Sequence, residues 1–167
     1  KRLASPFQAP GQIKYYKIKI ENHNRIGKFS IINTAQYQKK EQDNLDTNEL
    51  PTLNVPEWVT RNTLLYSNDL FNNSLFLQTG ITFNFFTKFY ADYYNILLSE
   101  FVTQNYKEIG EYPRFDFFVN ATIQNTRIFI KVEHLNSSFT GYDYYSDPFN
   151  PYRDLSVRFG VVWNFFE

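Results

Sequence analysis

Residues 154–167 read "DLSVRFGVVWNFFE" and set Leu155, Val157, Phe159, Val161, Trp163 and Phe165 on one side of an extended strand. Ser156, Arg158, Gly160 and Asn164 fall on the other. Strict alternation of apolar and polar residues marks a strand with two unlike faces. The apolar face here is long, bulky and tipped with aromatic rings. What that face meets decides the fold.

The same period-two pattern recurs upstream. In "RIFIKVEH", Ile128, Ile130 and Val132 alternate with Arg127, Phe129, Lys131 and Glu133. In "RFDFFVNATIQ", Phe115, Phe117, Val119, Ala121 and Ile123 alternate with Asp116, Phe118, Asn120, Thr122 and Gln124. "SLFLQTGITFNFFTKFY" sets Leu75, Leu77, Ile81, Phe83, Phe85 and Phe89 against Gln78, Gly80, Thr82, Asn84 and Lys88. Three earlier stretches are noisier: "IKYYKIKIE", "KFSIINTAQYQ" and "WVTRNTLLYS". They give about seven strands and an all-β chain, which at 167 residues is expected to be a single domain.

Composition narrows the function classes. Aromatic residues make up 20% of the chain, with 18 Phe and 13 Tyr, and such residues favour a pleated, half-exposed surface. Lys+Arg and Asp+Glu both number 17, so the chain lacks the charge of an electrostatic nucleic-acid binder. No cysteine is present, which excludes disulfides and thiolate metal sites. No apolar run approaches the roughly 18 residues of a transmembrane helix. Serine, histidine and acidic residues form no nucleophilic pattern, and the glycines form no phosphate loop. The sequence therefore points to no enzyme, no catalytic residue, no metal and no cofactor.

The links between strands carry the strongest hint. Short Asn-rich links are expected at residues 22–25, 68–73 and 125–126, and long ones at 40–57, 91–113 and 136–154. Short and long alternate strictly, so an up-and-down sheet gathers all its tight turns at one end and all its loops at the other. A soluble sandwich also gives alternating strands, but segregated loops and strands of about ten residues suit an antiparallel transmembrane β-barrel. Aromatics near strand ends (Tyr15 and Tyr16, Tyr37, Trp58, Phe89 and Tyr90, Phe165 and Phe166) fit interfacial girdles.

On this reading Ile81, Phe83, Phe117, Val119, Ile128, Ile130, Phe159, Val161 and Trp163 face lipid. Lys88, Asp116, Arg127, Lys131, Glu133 and Arg158 face the lumen. There they either set ion selectivity or form cross-strand pairs. His134 is expected as a solvated rim residue rather than a metal ligand. The loop "SSFTGYDYYSDPFNPYRD" reads as a segment packing on itself over the barrel mouth, with sugar or calcium binding as the alternative.

"RFGVVWNF" resembles the assembly signal of bacterial outer-membrane barrels, with Arg158, Gly160, Trp163 and Phe165 at the matching positions. The chain departs from that pattern in closing on Glu167 rather than on an aromatic residue. "FTKFYADYYN", "FVTQNYKEIGEYPRFDFFVNATI", "RIFIKVEHLN" and "YRDLSVRFGVVWNFF" resemble, in this order, the C-terminal end of the putative porins of Bacteroidota. The resemblance implies a barrel in the outer membrane of a Gram-negative bacterium, a porin-type passive channel for small solutes. Its implied partners are outer-membrane lipid and the barrel-assembly machinery. A docking barrel holding other outer-membrane proteins is the second reading, and a soluble binding module the third. An odd strand count and a first residue of Lys1 lead to the expectation that these are the C-terminal strands of a larger barrel.

Overall fold

The computed structural model describes residues 12–42 and 53–165. Phe166, the closing Glu167, Lys1 and most of the first long link lie outside the described residues. Seven strands form one antiparallel sheet: β1 (Ile13–Ile26), β2 (Phe29–Gln42), β3 (Trp58–Leu70), β4 (Leu75–Phe86), β7 (Arg114–Ile123), β8 (Thr126–Glu133) and β9 (Ser156–Trp163). A separate hairpin, β5 (Tyr93–Asn95) and β6 (Glu100–Val102), lies within the connection from β4 to β7. Each long strand pairs with its neighbour in sequence, in the order β1-β2-β3-β4-β7-β8-β9. Among the described residues there is no helix.

Turn chemistry sets the hairpins. β1 runs straight through residues 22–25, which are strand rather than the expected turn, and the chain reverses at Gly27 and Lys28. Gly27 has a φ of +60°, which a two-residue turn of the II′ type requires at its first position. The second tight connection falls at residues 71–74, where Asn72 and Asn73 accept left-handed backbone. The third falls at Gln124 and Asn125. All three tight turns sit at one end of the sheet, and the three long connections sit at the other.

Strand lengths depart from expectation in both directions. The noisiest stretch, around "WVTRNTLLYS", is a 13-residue strand paired on both sides. β4 ends at Phe86 instead of continuing to Tyr90. β8 and β9 have eight residues each, although a backbone bond from Asn164 N to Asn125 O extends their pairing.

Registers are continuous across the sheet. Ile18 lies beside Tyr37, Tyr37 beside Trp58, Leu64 beside Ile81, Ile81 beside Phe117, Val119 beside Ile130 and Ile130 beside Phe159. Every apolar series read from the sequence therefore shares one face over all seven strands. Rings cluster near both ends of that face. Tyr37 packs on Trp58 at 4.9 Å toward the long connections, and Phe29 packs on Tyr66 at 5.2 Å toward the turns.

Burial is inverted relative to an ordinary domain. The buried apolar side chains among the described residues are Ala91, Ile109, Tyr112 and Tyr144, all in the long connections. The strands instead bury Ser30, Gln38, Thr82 and Asp116, while Ile18, Ile20, Phe159, Val161 and Trp163 are largely exposed. The sheet is open: among the described residues β1 pairs only with β2 and β9 only with β8. The expected all-β antiparallel meander is present, but the structure does not close it into a barrel.

Candidate functional site

The face opposite the apolar one is polar, and its side chains link across strands. Thr63 and Thr82 hydroxyls meet at 3.0 Å, Asn120 Nδ2 donates to Gln78 Oε1 at 3.3 Å, and Tyr15 OH donates to Gln38 Oε1 at 2.6 Å. Asp116 is the most constrained acid. Its Oδ1 accepts the backbone N–H of His134 at 3.0 Å, and its Oδ2 accepts Asn84 Nδ2 at 3.2 Å. Arg114 Nε stands 3.7 Å from the same carboxylate. Glu133 is shared between Lys131 at 2.7 Å and Arg158 at 2.8 Å, on β8 and β9.

Asp116, Arg127, Lys131, Glu133 and Arg158 thus share the polar face, as their parity in the sequence requires. Lys88 does not sit on a strand. It follows the end of β4 and pairs with Glu111 in the same connection at 2.5 Å, which raises the Lys88 ammonium above its ordinary range. Arg61, less prominent in the sequence, lines an open concavity of about 380 Å³ with Thr34, Thr63, Gln78 and Phe118. Arg61 and Arg127 have no acidic partner among the described residues.

Two glycines on the polar face hold aromatic rings against the backbone. Gly80 lies opposite Phe118, and Gly160 lies opposite Phe129. A Cβ on Gly160 would fall 2.6 Å from Phe129 Cε1, so the bare backbone is what leaves room for the ring. Of the other residues matched to the assembly signal, Trp163 packs at a tilt on Phe165 at 4.5 Å and Arg158 joins the Glu133 pair.

At the loop end, the connection 134–155 packs on the connection 87–113 through rings. His134 is fully buried, contrary to the expected solvated rim position. Tyr144 meets its ring edge-on at 4.5 Å, Tyr152 at 5.6 Å and Tyr112 at 6.4 Å. His134 Nδ1 contacts the carbonyl of Arg153 at 2.7 Å; a carbonyl only accepts, so Nδ1 carries the proton. Tyr144 OH donates to Asp154, and this bond, with burial, pushes the phenol up to about 12. Burial likewise raises Tyr112, whose OH donates to Tyr145 O at 3.2 Å. Lys107 sits 3.2 Å over the Tyr145 ring, and Tyr93 meets Phe149 at 5.0 Å. The loop aromatics pack on one another and on their neighbour, with Phe139 and Tyr142 left exposed.

Gln104 and Asn136 organise this end without any mark in the sequence. Gln104 Nε2 donates to Ala91 O and Lys107 O at 2.8 Å, and its Oε1 accepts the N–H groups of Tyr106 and Lys107 at 2.9 Å. Asn136 accepts from Phe115 N at 2.9 Å and donates to Pro113 O at 2.7 Å, fixing where β7 begins. Among the described residues, no group of three or more His, Cys, Asp or Glu is placed to hold a metal ion.

Comparison with curated proteins and with solved structures finds no match. A protein-family model described as "Putative porin" matches residues 1–167, the whole chain. The chain belongs to the putative porin family.

Proposed function

We propose that the seven-stranded sheet is one wall of an outer-membrane β-barrel that passes small solutes by passive diffusion. Family membership supports an outer-membrane, channel-type and non-enzymatic role at the level of the family. The observation that carries the reading for this chain is its inverted burial. Seven strands turn a mainly apolar face outward, interrupted across β1–β3 by the adjacent Asn22, Asn33 and Asn62, and keep their buried strand residues polar. Monomeric soluble proteins rarely expose an apolar patch beyond a few hundred Å². Lipid is the partner that covers such a face without a second sheet.

Dimensions agree with this. From Trp58 to Tyr66 the strand advances about 27 Å, or roughly 20 Å of depth at a tilt near 40°. That is close to the apolar band of about 25 Å in outer-membrane barrels, and rings cluster at both of its ends. The apolar-face strand charges Lys14, Lys39 and Glu41 all lie beyond Tyr16 and Tyr37, toward the long connections. Apart from Lys88, which stands in the connection beyond β4, the residues read as lipid-facing and lumen-facing keep those assignments in this proposal. Arg158, Gly160, Trp163 and Phe165 serve as the signal read by the assembly machinery. Unpaired β1 and β9 edges are not viable in lipid, so the proposal includes further strands that pair with them within one barrel.

Planar-bilayer recording of the full-length protein tests the reading. Stepwise conductance is expected, and no current above background overturns it. The docking alternative has one observation in its favour. The β5–β6 hairpin exposes Ile96 and Leu97 at its tip and Phe101 on β6, with Leu97 at 95%. Changing Leu97 and Phe101 to Asp separates the two. A channel role predicts unchanged conductance and no lost partner, whereas a docking role predicts loss of co-purifying outer-membrane proteins.

A further inference from the structure

The whole chain is electrically neutral, but its polar sheet face is not. Parity and register place nine Lys or Arg side chains on that face and four acids, Glu21, Asp69, Asp116 and Glu133. Three of the four acids are already engaged. Glu21 holds Lys19 at 2.6 Å, Glu133 holds Lys131 and Arg158, and Asp116 is tied to His134 N and Asn84 beside Arg114.

Five cations remain: Lys40 donates to Leu53 O and Asn54 Oδ1 at the loop end, and the other four, Lys17, Arg25, Arg61 and Arg127, are spaced regularly. Tracing hydrogen-bonded rows across to β3 puts Lys17 level with Glu57, Arg61 at its own row, Arg25 level with Leu65 and Arg127 level with Asp69. None of the four has an acidic side chain within ion-pairing distance among the described residues. Successive rows are four residues apart, about 13 Å along the strand. One cation without an ion-pair partner therefore stands at each of four levels through the depth of the sheet. Two of these levels also carry an acid, Glu57 just before β3 on the Lys17 row and Asp69 on the Arg127 row, so the positive excess is clearest at the Arg61 and Arg25 rows. Half of the described carboxylates of the long connections are held elsewhere: Asp92 by Asn54 at 2.9 Å, Glu111 by Lys88, Asp147 by Asn150 at 2.7 Å and Asp154 by Tyr144.

We infer that this face is a cationic ladder that makes the pore selective for small anions. The inference rests on the channel reading above and names its substrate class. Fixed charges beside a low-dielectric wall concentrate counter-ions, and charged rings in a pore set the sign of the permeant ion. The Debye length is about 8 Å at physiological salt, so steps of about 13 Å along a tilted strand give the potential few neutral gaps. An anion leaving one level enters the field of the next.

The test is the reversal potential of the full-length protein in a KCl gradient, on protein whose gel mobility changes on boiling. Chloride preference is expected. The double variant Arg61→Glu/Arg127→Glu should lower the chloride-to-potassium permeability ratio by about twofold or more. Arg61→Gln/Arg127→Gln gives the same direction should the reversal impair folding. Lys39→Gln, on the other face, should leave the ratio unchanged. Open channels that prefer potassium, or that ignore both double variants, overturn the inference and leave the channel reading standing. No current from heat-modifiable protein overturns both.

Discussion

At the scale of single residues, two glycines show how much meaning an unremarkable position can hold. Gly160 matches an assembly signal in the sequence, and in the structure it also seats the Phe129 ring. An alanine there must displace a ring that can still swing, costing about 1–3 kcal/mol by overpacking. At Gly80 the obstacle is different. A Cβ would lie 2.5 Å from the backbone carbonyl of Leu64 as well as 3.0 Å from Phe118 Cζ. Backbone in a paired strand cannot yield, so Gly80→Ala should destabilise more than Gly160→Ala in urea unfolding from lipid or detergent. Phe129→Ala should relieve Gly160→Ala with a coupling of about 1 kcal/mol, while Phe118→Ala should leave most of the Gly80→Ala cost in place. Tyr144 gives a second residue-level expectation. Its phenol is raised to about 12 by the bond to Asp154, against an ordinary value near 10. A raised pKa favours the protonated form in the fold. The stability it confers is complete below pH 10, declines as the unfolded chain ionises, and is gone above pH 12. Absorbance titration should show late tyrosines, Tyr112 and Tyr144 among them, and Tyr144→Phe should remove one; a titration identical in the variant contradicts the bond.

At the scale of elements, alternation made the faces legible and left the ends obscure. The four clear strands and the three noisy ones all appear, because period two survives any error in boundaries. "ENHNR" resembles a turn by composition, yet tertiary pairing with residues 30–34 keeps it extended and moves the reversal to Gly27. β5 and β6, three residues each, are too short to leave a period. His134 was legible only as a polar residue near a strand end; its burial depends on Tyr144 and Tyr152 folding back from its own connection and on Tyr112 from the one before β7, which no local pattern records. Arg61 was similarly hidden, since its part in the polar face comes from register. The split between faces can be read directly, because the chain has no cysteine to confuse a reporter. Phe159→Cys should resist a charged maleimide in intact membranes, whereas Arg158→Cys should react. Equal labelling of the two would remove lipid as the partner of the apolar face.

At the scale of the whole molecule, the unresolved demand is made by the edges. Seven strands in sequence order leave β1 and β9 running in the same direction, each bonded on one side only among the described residues. Half of the backbone groups in such a strand point away from the sheet. In water they would be solvated, but in hydrocarbon each unmet group costs several kcal/mol. A sheet whose outward face is lipid-covered must therefore have both edges paired, and the apolar face and the closure stand or fall together. Hydrogen exchange measures this without knowledge of the pairing strand. In the full-length protein in lipid, consecutive amides of β9 from Val157 to Val162 should be protected as well as those of β4, which is bonded on both sides. An open edge gives a different signature: protection alternating residue by residue, with the outward N–H groups exchanging fast. That alternation would mean β9 borders water and would remove the closed barrel from the account. Uniform protection would mean that another strand lies against it.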